Sequence, residues 1–216
     1  MSWLVTAKQY IPAVIGEPFG GGYFAGYISH TADGNPTHAL IVAPRATGAS
    51  GTGYTLTTNY QWKTTATSTA GTTNLFDGAV NTAAMVAAGI ADHPAAQFCV
   101  NLNIGGFTDW YLPSRAEYEI AYFNLKPDTT LNFTGIGNNI YSVPRRDNFY
   151  TTTYPAQTYL AAFKTTSEAF VADNHWRSDE ASPTTASRFL FAGGAEGGGL
   201  SKTSGFLVRA FRKIAL

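Results

Sequence analysis

The chain of 216 residues has one cysteine, few charged side chains and no long apolar run. Cys99 alone cannot form an intramolecular disulfide, and one cysteine does not make a cysteine-rich zinc site. The four histidines, His30, His38, His93 and His175, show none of the spacings typical of metalloenzymes. No apolar run approaches the length of a membrane-spanning helix. We therefore expect no metal, no other cofactor and no membrane insertion.

The charge content is also low. Charged residues make up 13% of the chain, and Lys+Arg balance Asp+Glu at 14 each. A neutral protein offers no electrostatic reason to bind nucleic acid or an anionic membrane. Residues 1–5 carry no basic segment in front of an apolar one, so we expect no secretory signal peptide. The aromatic share of 14% and the many Thr, Gly, Asn and Tyr residues resemble β-proteins carried on extracellular assemblies.

One stretch, residues 105–117, predicts a buried strand that runs into a capped helix. Its residues 109–112 are Asp-Trp-Tyr-Leu, bounded by Gly-Gly and Pro. Ser114 and Glu117 have the spacing of a capping box, in which each side chain binds the backbone N–H of the other. The apolar stripe of the helix follows at i, i+3, i+4 and i+7 and consists of Tyr118, Ala121, Tyr122 and Leu125.

Turn residues and periodicity place the N-terminal elements. We expect a strand or arm in residues 1–22. Strands at residues 23–30 and 38–43, joined by an Asp-Gly-Asn-Pro turn, predict a hairpin. The Thr- and Gly-rich residues 45–74 predict a loop with short strands.

Two further helices and a strand-rich end follow. Asp77 caps a helix over residues 78–88, and another helix begins at Pro94. The apolar stripe of the first should be Val80, Ala83, Ala84 and Ala87. Residues 127–156 predict a long loop. We expect short strands at residues 160–163 and 168–171. Two more strands, at residues 187–192 and 205–211, should flank a Gly-rich loop at residues 193–204.

Four later segments complete a pattern that starts with Asp-Trp-Tyr-Leu-Pro-Ser at residues 109–114. They are His-Trp-Arg-Ser-Asp-Glu at 175–180, Phe-Ala-Gly-Gly at 191–194, Lys202, and Val-Arg-Ala-Phe-Arg at 208–212. In order and spacing, this pattern resembles the domain family named after the C-terminal domain of the collagen-like adhesin Lcl. The resemblance implies a C-type-lectin-like fold, and many such relatives look like phage virion proteins.

The expected fold class is therefore α+β, with two to three helices packed on small antiparallel sheets. Residues 1–45 would form an N-terminal hairpin or attachment segment packed on the main domain. Residues 46–216 would form the C-type-lectin-like domain. The aromatic side chains of Trp110, Tyr111 and Trp176 would pack in the core rather than stack on sugars.

Recognition surfaces are typically loops that carry Tyr, Arg and Asn on a rigid scaffold. Residues 137–155 and 177–204 have this composition. The candidate ligand-binding residues are Tyr141, Arg145, Arg146, Asn148, Tyr150, Arg177, Asp179 and Glu196. The alternative for the first segment is a connector whose Tyr rings pack on the core. Asp179 and Glu180 have their own alternative, a turn residue and a charge paired with Arg209 or Arg212.

These observations favour a phage virion surface or tail-fibre protein that recognises a host-surface glycan or protein. Its other partners would be virion proteins, and it would form a homotrimer. It would be made in the host cytoplasm and reside on the virion. The alternatives are a purely structural collar or baseplate component and a bacterial adhesin-like binding domain. Enzyme activity is not expected, because the formylglycine-generating enzymes of this general fold need a cysteine pair and no hydrolase motif is present.

Overall fold

The computed structural model describes residues 10–50, 59–164 and 167–216. The arm expected in residues 1–22 therefore lies partly outside the described residues. Residues 1–5, from which no signal peptide is expected, lie wholly outside them. Four α-helices lie in the described part of the chain: α1 (Arg45–Gly48), α2 (Gly78–Ala87), α3 (Pro94–Val100) and α4 (Arg115–Leu125). No helix there has the length and apolar character needed to cross a bilayer.

Ten strands in the described residues form three antiparallel sheets. The first has the order β1-β2-β3-β10, with β5 also paired to β2; these are Pro18–Phe19, Gly22–Ile28, His38–Val42, Phe211–Ala215 and Ser142–Val143. The second pairs β4 with β9, which are Tyr60–Gln61 and Gly205–Phe206. The third has the order β6-β7-β8, which are Asn174–Glu180, Thr185–Leu190 and Ala195–Ser201. This arrangement is α+β, as expected.

The predicted hairpin is confirmed by the antiparallel pairing of β2 with β3. Strand β10 pairs with β3 along its whole length, from Phe211 opposite Val42 to Ala215 opposite His38. Strands from both sides of residue 45 therefore share one sheet. The division into residues 1–45 and 46–216 stays a prediction.

Helix α4 confirms the capping box and the apolar stripe. The Glu117 carboxylate accepts hydrogen bonds from the backbone N–H of Ser114, at 2.7 Å, and from its hydroxyl, at 2.8 Å. All four stripe residues are buried in the core cluster that also contains Phe189 and Phe211. The side-chain amide of Asn124 donates to the carbonyl of Ala25 in β2 at 2.7 Å, which ties the helix to the first sheet.

Helix α2 begins and ends as predicted, and Asp77 accepts from the backbone N–H groups of Ala79 and Val80. Its predicted apolar stripe is wrong, since Val80 is exposed and the buried residues are Gly78, Asn81, Thr82 and Met85. The buried face is mostly polar because it binds neighbouring segments. The amide of Asn81 donates to the hydroxyl of Ser178, and the hydroxyl of Thr82 accepts from Leu112 N–H.

Four other expectations need correction. Residues 110–112 are buried, but residues 109–112 form no strand. Only Tyr111 makes backbone pairing of the β type, in an isolated bridge with Phe211. Residues 161–163 form a 3-10 turn, and residues 168–171 have no regular structure. The Gly-rich segment predicted as a loop is largely strand β8, whose backbone pairs with β7. Gly needs no side chain to join a ladder of backbone hydrogen bonds.

The signature segments hold one another in place. Trp110, Tyr111 and Trp176 are core residues, as predicted. Asp109 accepts from the guanidinium of Arg212. The ammonium group of Lys202 lies over the ring of Trp62, at 4.8 Å from its centroid, and donates to Glu180 at 2.5 Å. Charged residues far apart in the chain therefore link the segment before α4 to the first sheet, and the end of β6 to the turn after β8.

Candidate functional site

Helix α4 has a second face beside its core stripe. Arg115, Glu119 and Phe123 follow one another at i, i+4 and i+8, so they lie on one side of the helix. Residues 138–154 cross this side and are anchored to it by Asn139. The amide of Asn139 donates to the carbonyl of Ala116 at 2.9 Å, and its backbone pairs with that of Arg146.

The Glu119 carboxyl group is almost fully enclosed, with 1% of the side chain exposed. The hydroxyl of Tyr150 donates to Glu119 Oε2 at 2.6 Å. The guanidinium Nη2 of Arg146 lies 3.6 Å from the same oxygen. Tyr150 reaches this position by packing on Gly137, where a Cβ atom would lie 2.3 Å from the tyrosine ring.

The carboxylate of Glu196, on β8, is held by two arginines. Arg115 donates to it through Nε and through Nη2, the latter at 3.0 Å. Arg177, on β6, places Nη1 at 3.5 Å from Glu196 Oε2 and makes two hydrogen bonds to Asp179, at 2.8 and 2.6 Å. These groups form a network of alternating charges between α4 and the third sheet.

Glu119 and Glu196 join the two halves of the network, and the charge of each carboxyl group affects the other. Oε1 of Glu119 is enclosed and has no hydrogen-bond partner in the structure. Burial, followed by the interaction with Glu196, raises the pKa of Glu119 well above its usual range. Burial also works against the ionised form of Glu196, but the hydrogen bond from Arg115, the interaction with Glu119 and the charges of Arg115 and Arg177 together outweigh it and lower the pKa of Glu196. The neutral form is therefore favoured at Glu119 and the ionised form at Glu196.

An open cleft of about 530 Å³ lies against the Arg146 end of this network. Its lining comprises Phe123, Arg145, Arg146, Asp147, Asn148, Phe149, Tyr150, Thr151 and Tyr154. The rings of Phe149 and Tyr154 are 56% and 58% exposed. The guanidinium of Arg146 lies over the ring of Phe123, at 4.3 Å from its centroid, and Tyr154 packs edge-on against the same ring at 5.4 Å. The cleft thus combines exposed aromatic faces with planar polar groups.

A smaller cavity of about 260 Å³ lies on the other side of Glu119. Its polar lining comes from Arg115, Glu119 and the amides of residues 138 and 139, and Tyr141 forms part of its wall. The Tyr141 ring stacks on Phe76 at 4.4 Å.

The structure therefore brings together most of the residues that the sequence suggested. Two residues of α4 lie between the two groups of candidates. Glu119 contacts Arg146 and Tyr150. Arg115 binds Glu196, which lies beside Arg177 and Asp179. Arg145 and Asn148 are exposed in the cleft, and Tyr141 lies in the neighbouring cavity.

Three of these residues are not on an exposed recognition surface. Tyr150 is buried, and its hydroxyl is bound to Glu119. Arg177 and Asp179 are buried in strand β6 because each neutralises the charge of the other. The surface expected at residues 177–204 is mostly the third sheet.

The alternative for Asp179 and Glu180, a charge paired with Arg209 or Arg212, is wrong. Asp179 binds Arg177, and Glu180 binds Lys202. The two arginines of the last segment bind elsewhere: Arg209 pairs with Glu168, at 2.9 Å, and Arg212 pairs with Asp109.

Sequence reasoning missed Arg115, Glu119, Phe123 and Phe149. The first three could have been found from their i, i+4, i+8 spacing on a predicted helix, beside the apolar stripe. Phe149 gives no such signal, because its exposure depends on how residues 138–154 fold across the helix. In the described part of the chain, no three His, Cys, Asp or Glu side chains are placed to hold a metal ion. The thiol of Cys99 is buried, which raises its pKa.

No protein-family model matches the chain. No curated protein matches it significantly.

Proposed function

We propose that this chain is a non-enzymatic recognition module that binds a host-surface glycan in the cleft of residues 145–154. The cleft is the observation that carries the proposal. Sugars present an apolar face to aromatic rings and hydroxyl groups to planar polar side chains. Phe149 and Tyr154 supply the rings, and Arg145, Asp147 and Asn148 supply the polar groups.

The surroundings of the cleft support a binding role because hydrogen bonds and ring packing order them. The hydroxyl of Tyr150 donates to Glu119, and Tyr154 packs edge-on against Phe123 of α4. Binding sites gain affinity when the groups that meet the ligand are already ordered. The exposed rings stand on this support rather than on a free loop.

The same network argues against an enzyme. A hydrolase that uses two carboxyl groups needs one of them free to accept a proton or to attack. Glu196 is occupied by Arg115 and Arg177, and Glu119 is enclosed. Cys99 is buried and cannot meet a substrate at the surface.

The resemblance of the signature segments supports a C-type-lectin-like fold and a place on a phage virion, on the surface or in a tail fibre. In this proposal the ligand belongs to the host cell and other virion proteins hold the module. Immunogold labelling of phage particles that carry this chain tests the location, and label found only in the bacterial envelope would favour the adhesin-like alternative.

Binding is tested with a glycan array and with host-cell binding by the purified chain. Tyr154→Ala and Phe149→Ala should each weaken binding by about 1–2 kcal/mol or more, because each removes an anchor ring. Tyr159→Ala is the matched control, since Tyr159 is 76% exposed and does not line the cleft. Full binding by both cleft variants would show that the ligand lies elsewhere. No binding to any glycan or cell would favour a purely structural virion component.

A further inference from the structure

The two arginines of the cleft differ in how their charges are matched. Arg145 donates to Asp147 at 2.6 Å, and both side chains are largely exposed. Arg146 has one anionic neighbour among the described residues, Glu119, at 3.6 Å. That distance is too long for a hydrogen bond. The nitrogens Nε and Nη2 of Arg146 are enclosed by protein and have no hydrogen-bond acceptor in the structure.

Glu119 does not supply the missing negative charge. Burial raises the pKa of its carboxyl group well above the usual range, which favours the neutral form. The charge of Glu196 is already taken up by Arg115 and Arg177. Arg146 is therefore a largely buried cation, 13% exposed, without a full counter-ion, and it lines the cleft. A buried charge that lacks a partner is costly, so an anion that enters the cleft is favoured.

We propose that the cleft takes a sugar that carries a carboxylate, such as a sialic or uronic acid, and that Arg146 binds this carboxylate. The inference rests on the proposed glycan-binding function and specifies its ligand. Since Nε and Nη2 are enclosed, the carboxylate would meet the guanidinium at Nη1. The ring of Phe123 holds the guanidinium in a fixed plane. Phe149 and Tyr154 are then left to contact the apolar face of the same sugar.

The arrangement implies that binding weakens as the pH rises. The charged and titratable groups that face Glu119 are Glu196 on β8, Arg115 on α4, and Arg146 and Tyr150 on the crossing segment. When Glu119 loses its proton, it becomes the counter-ion of Arg146 and competes with the ligand carboxylate. Glu119→Gln can still accept the hydrogen bond from Tyr150 but cannot ionise, so this variant should keep its affinity at higher pH.

The test uses two matched pairs of ligands in titration calorimetry with the whole chain. The pairs are sialyllactose with lactose, and trigalacturonate with its methyl ester. We expect the acidic member of at least one pair to bind about tenfold more tightly or better. Arg146→Gln should abolish this preference, and Arg146→Lys, which keeps the charge, should keep part of it. Lys164→Gln is the matched control and should keep it, because it removes one positive charge at a residue that does not line the cleft.

The outcomes separate this inference from the function on which it rests. Neutral glycans that bind as well as their acidic partners would overturn the carboxylate inference and leave the glycan-binding function standing. A preference for acids that survives in folded Arg146→Gln would overturn the role of Arg146. If no glycan of either kind binds, both the inference and the proposed function are wrong. Thermal unfolding of each variant verifies that it is folded.

Discussion

The hydroxyl of Tyr150 donates a hydrogen bond of 2.6 Å to the carboxyl group of Glu119, in α4, 31 positions earlier in the chain. One turn earlier on the same helix, Arg115 donates to Glu196 in β8. These bonds connect α4 to the cleft segment on one side and to the third sheet on the other. Burial raises the pKa of Glu119, so the proton that it holds makes this connection sensitive to pH.

The first prediction concerns that proton. The pKa of Glu119 is raised in the folded protein above its usual 4.5, so the native state holds a proton that the unfolded chain has released. Stability contributed by Glu119 should therefore fall as the pH rises from about 4.5 through its folded pKa. The pKa of Glu196 is lowered, and its contribution is lost instead as the pH falls below about 4.5.

Glu119→Gln isolates this effect, because other groups also titrate. We expect the free energy of unfolding of the variant to rise relative to wild type between about pH 4.5 and pH 8. Urea unfolding at several pH values measures the difference. Asp92→Asn, at an exposed carboxylate, is the control for the loss of one negative charge. A difference for Glu119→Gln that stays constant with pH would show that Glu119 holds no extra proton in the folded state.

The second prediction compares two Arg-x-Asp pairs. Arg177 and Asp179 lie 2.6 Å apart and are buried, while Arg145 and Asp147 have the same spacing and distance but are largely exposed. Arg177→Ala should cost roughly 3–5 kcal/mol, because it leaves a buried carboxylate without its partner. Arg145→Ala should cost about 0–1 kcal/mol. Chemical denaturation measures both, and equal costs would contradict the role assigned to burial.

The third prediction concerns the aromatic core. Trp110 is 2% exposed, and its indole N–H donates to the carbonyl of Phe107 at 3.0 Å. Trp110→Ala should cost roughly 3–5 kcal/mol as a large-to-small core substitution. Tyr159→Ala, at an exposed ring, should change the free energy of unfolding by within about 0.5 kcal/mol. A Trp110 variant as stable as the Tyr159 variant would mean that the first signature segment is not part of the core.

The fourth prediction is that the chain forms a homotrimer. The chain is neutral overall and weakly charged, so it lacks the repulsion that keeps many proteins apart. Exposed rings such as Phe133 and Tyr159 add apolar surface. Sedimentation equilibrium at micromolar concentration measures the mass. A result equal to the mass of one chain would refute the trimer.

The sequence by itself determined the elements whose signals are local. The capping box of Ser114 and Glu117 and the stripe from Tyr118 to Leu125 produced helix α4, since these residues interact within three or four positions. The hairpin of β2 and β3 followed from its turn and its two apolar runs. The burial of Trp110 and Trp176 followed from the size of their side chains.

Tertiary structure decided what depended on distant partners. The polar face of α2 is buried because Ser178 and Leu112 bond to it, which no periodicity within the helix reveals. The Gly-rich residues of β8 became a strand because β7 offers a backbone to pair with. Arg177 is buried and Arg145 exposed although both precede an Asp by two residues. Burial is a property of where the chain places a residue, and long-range packing sets it.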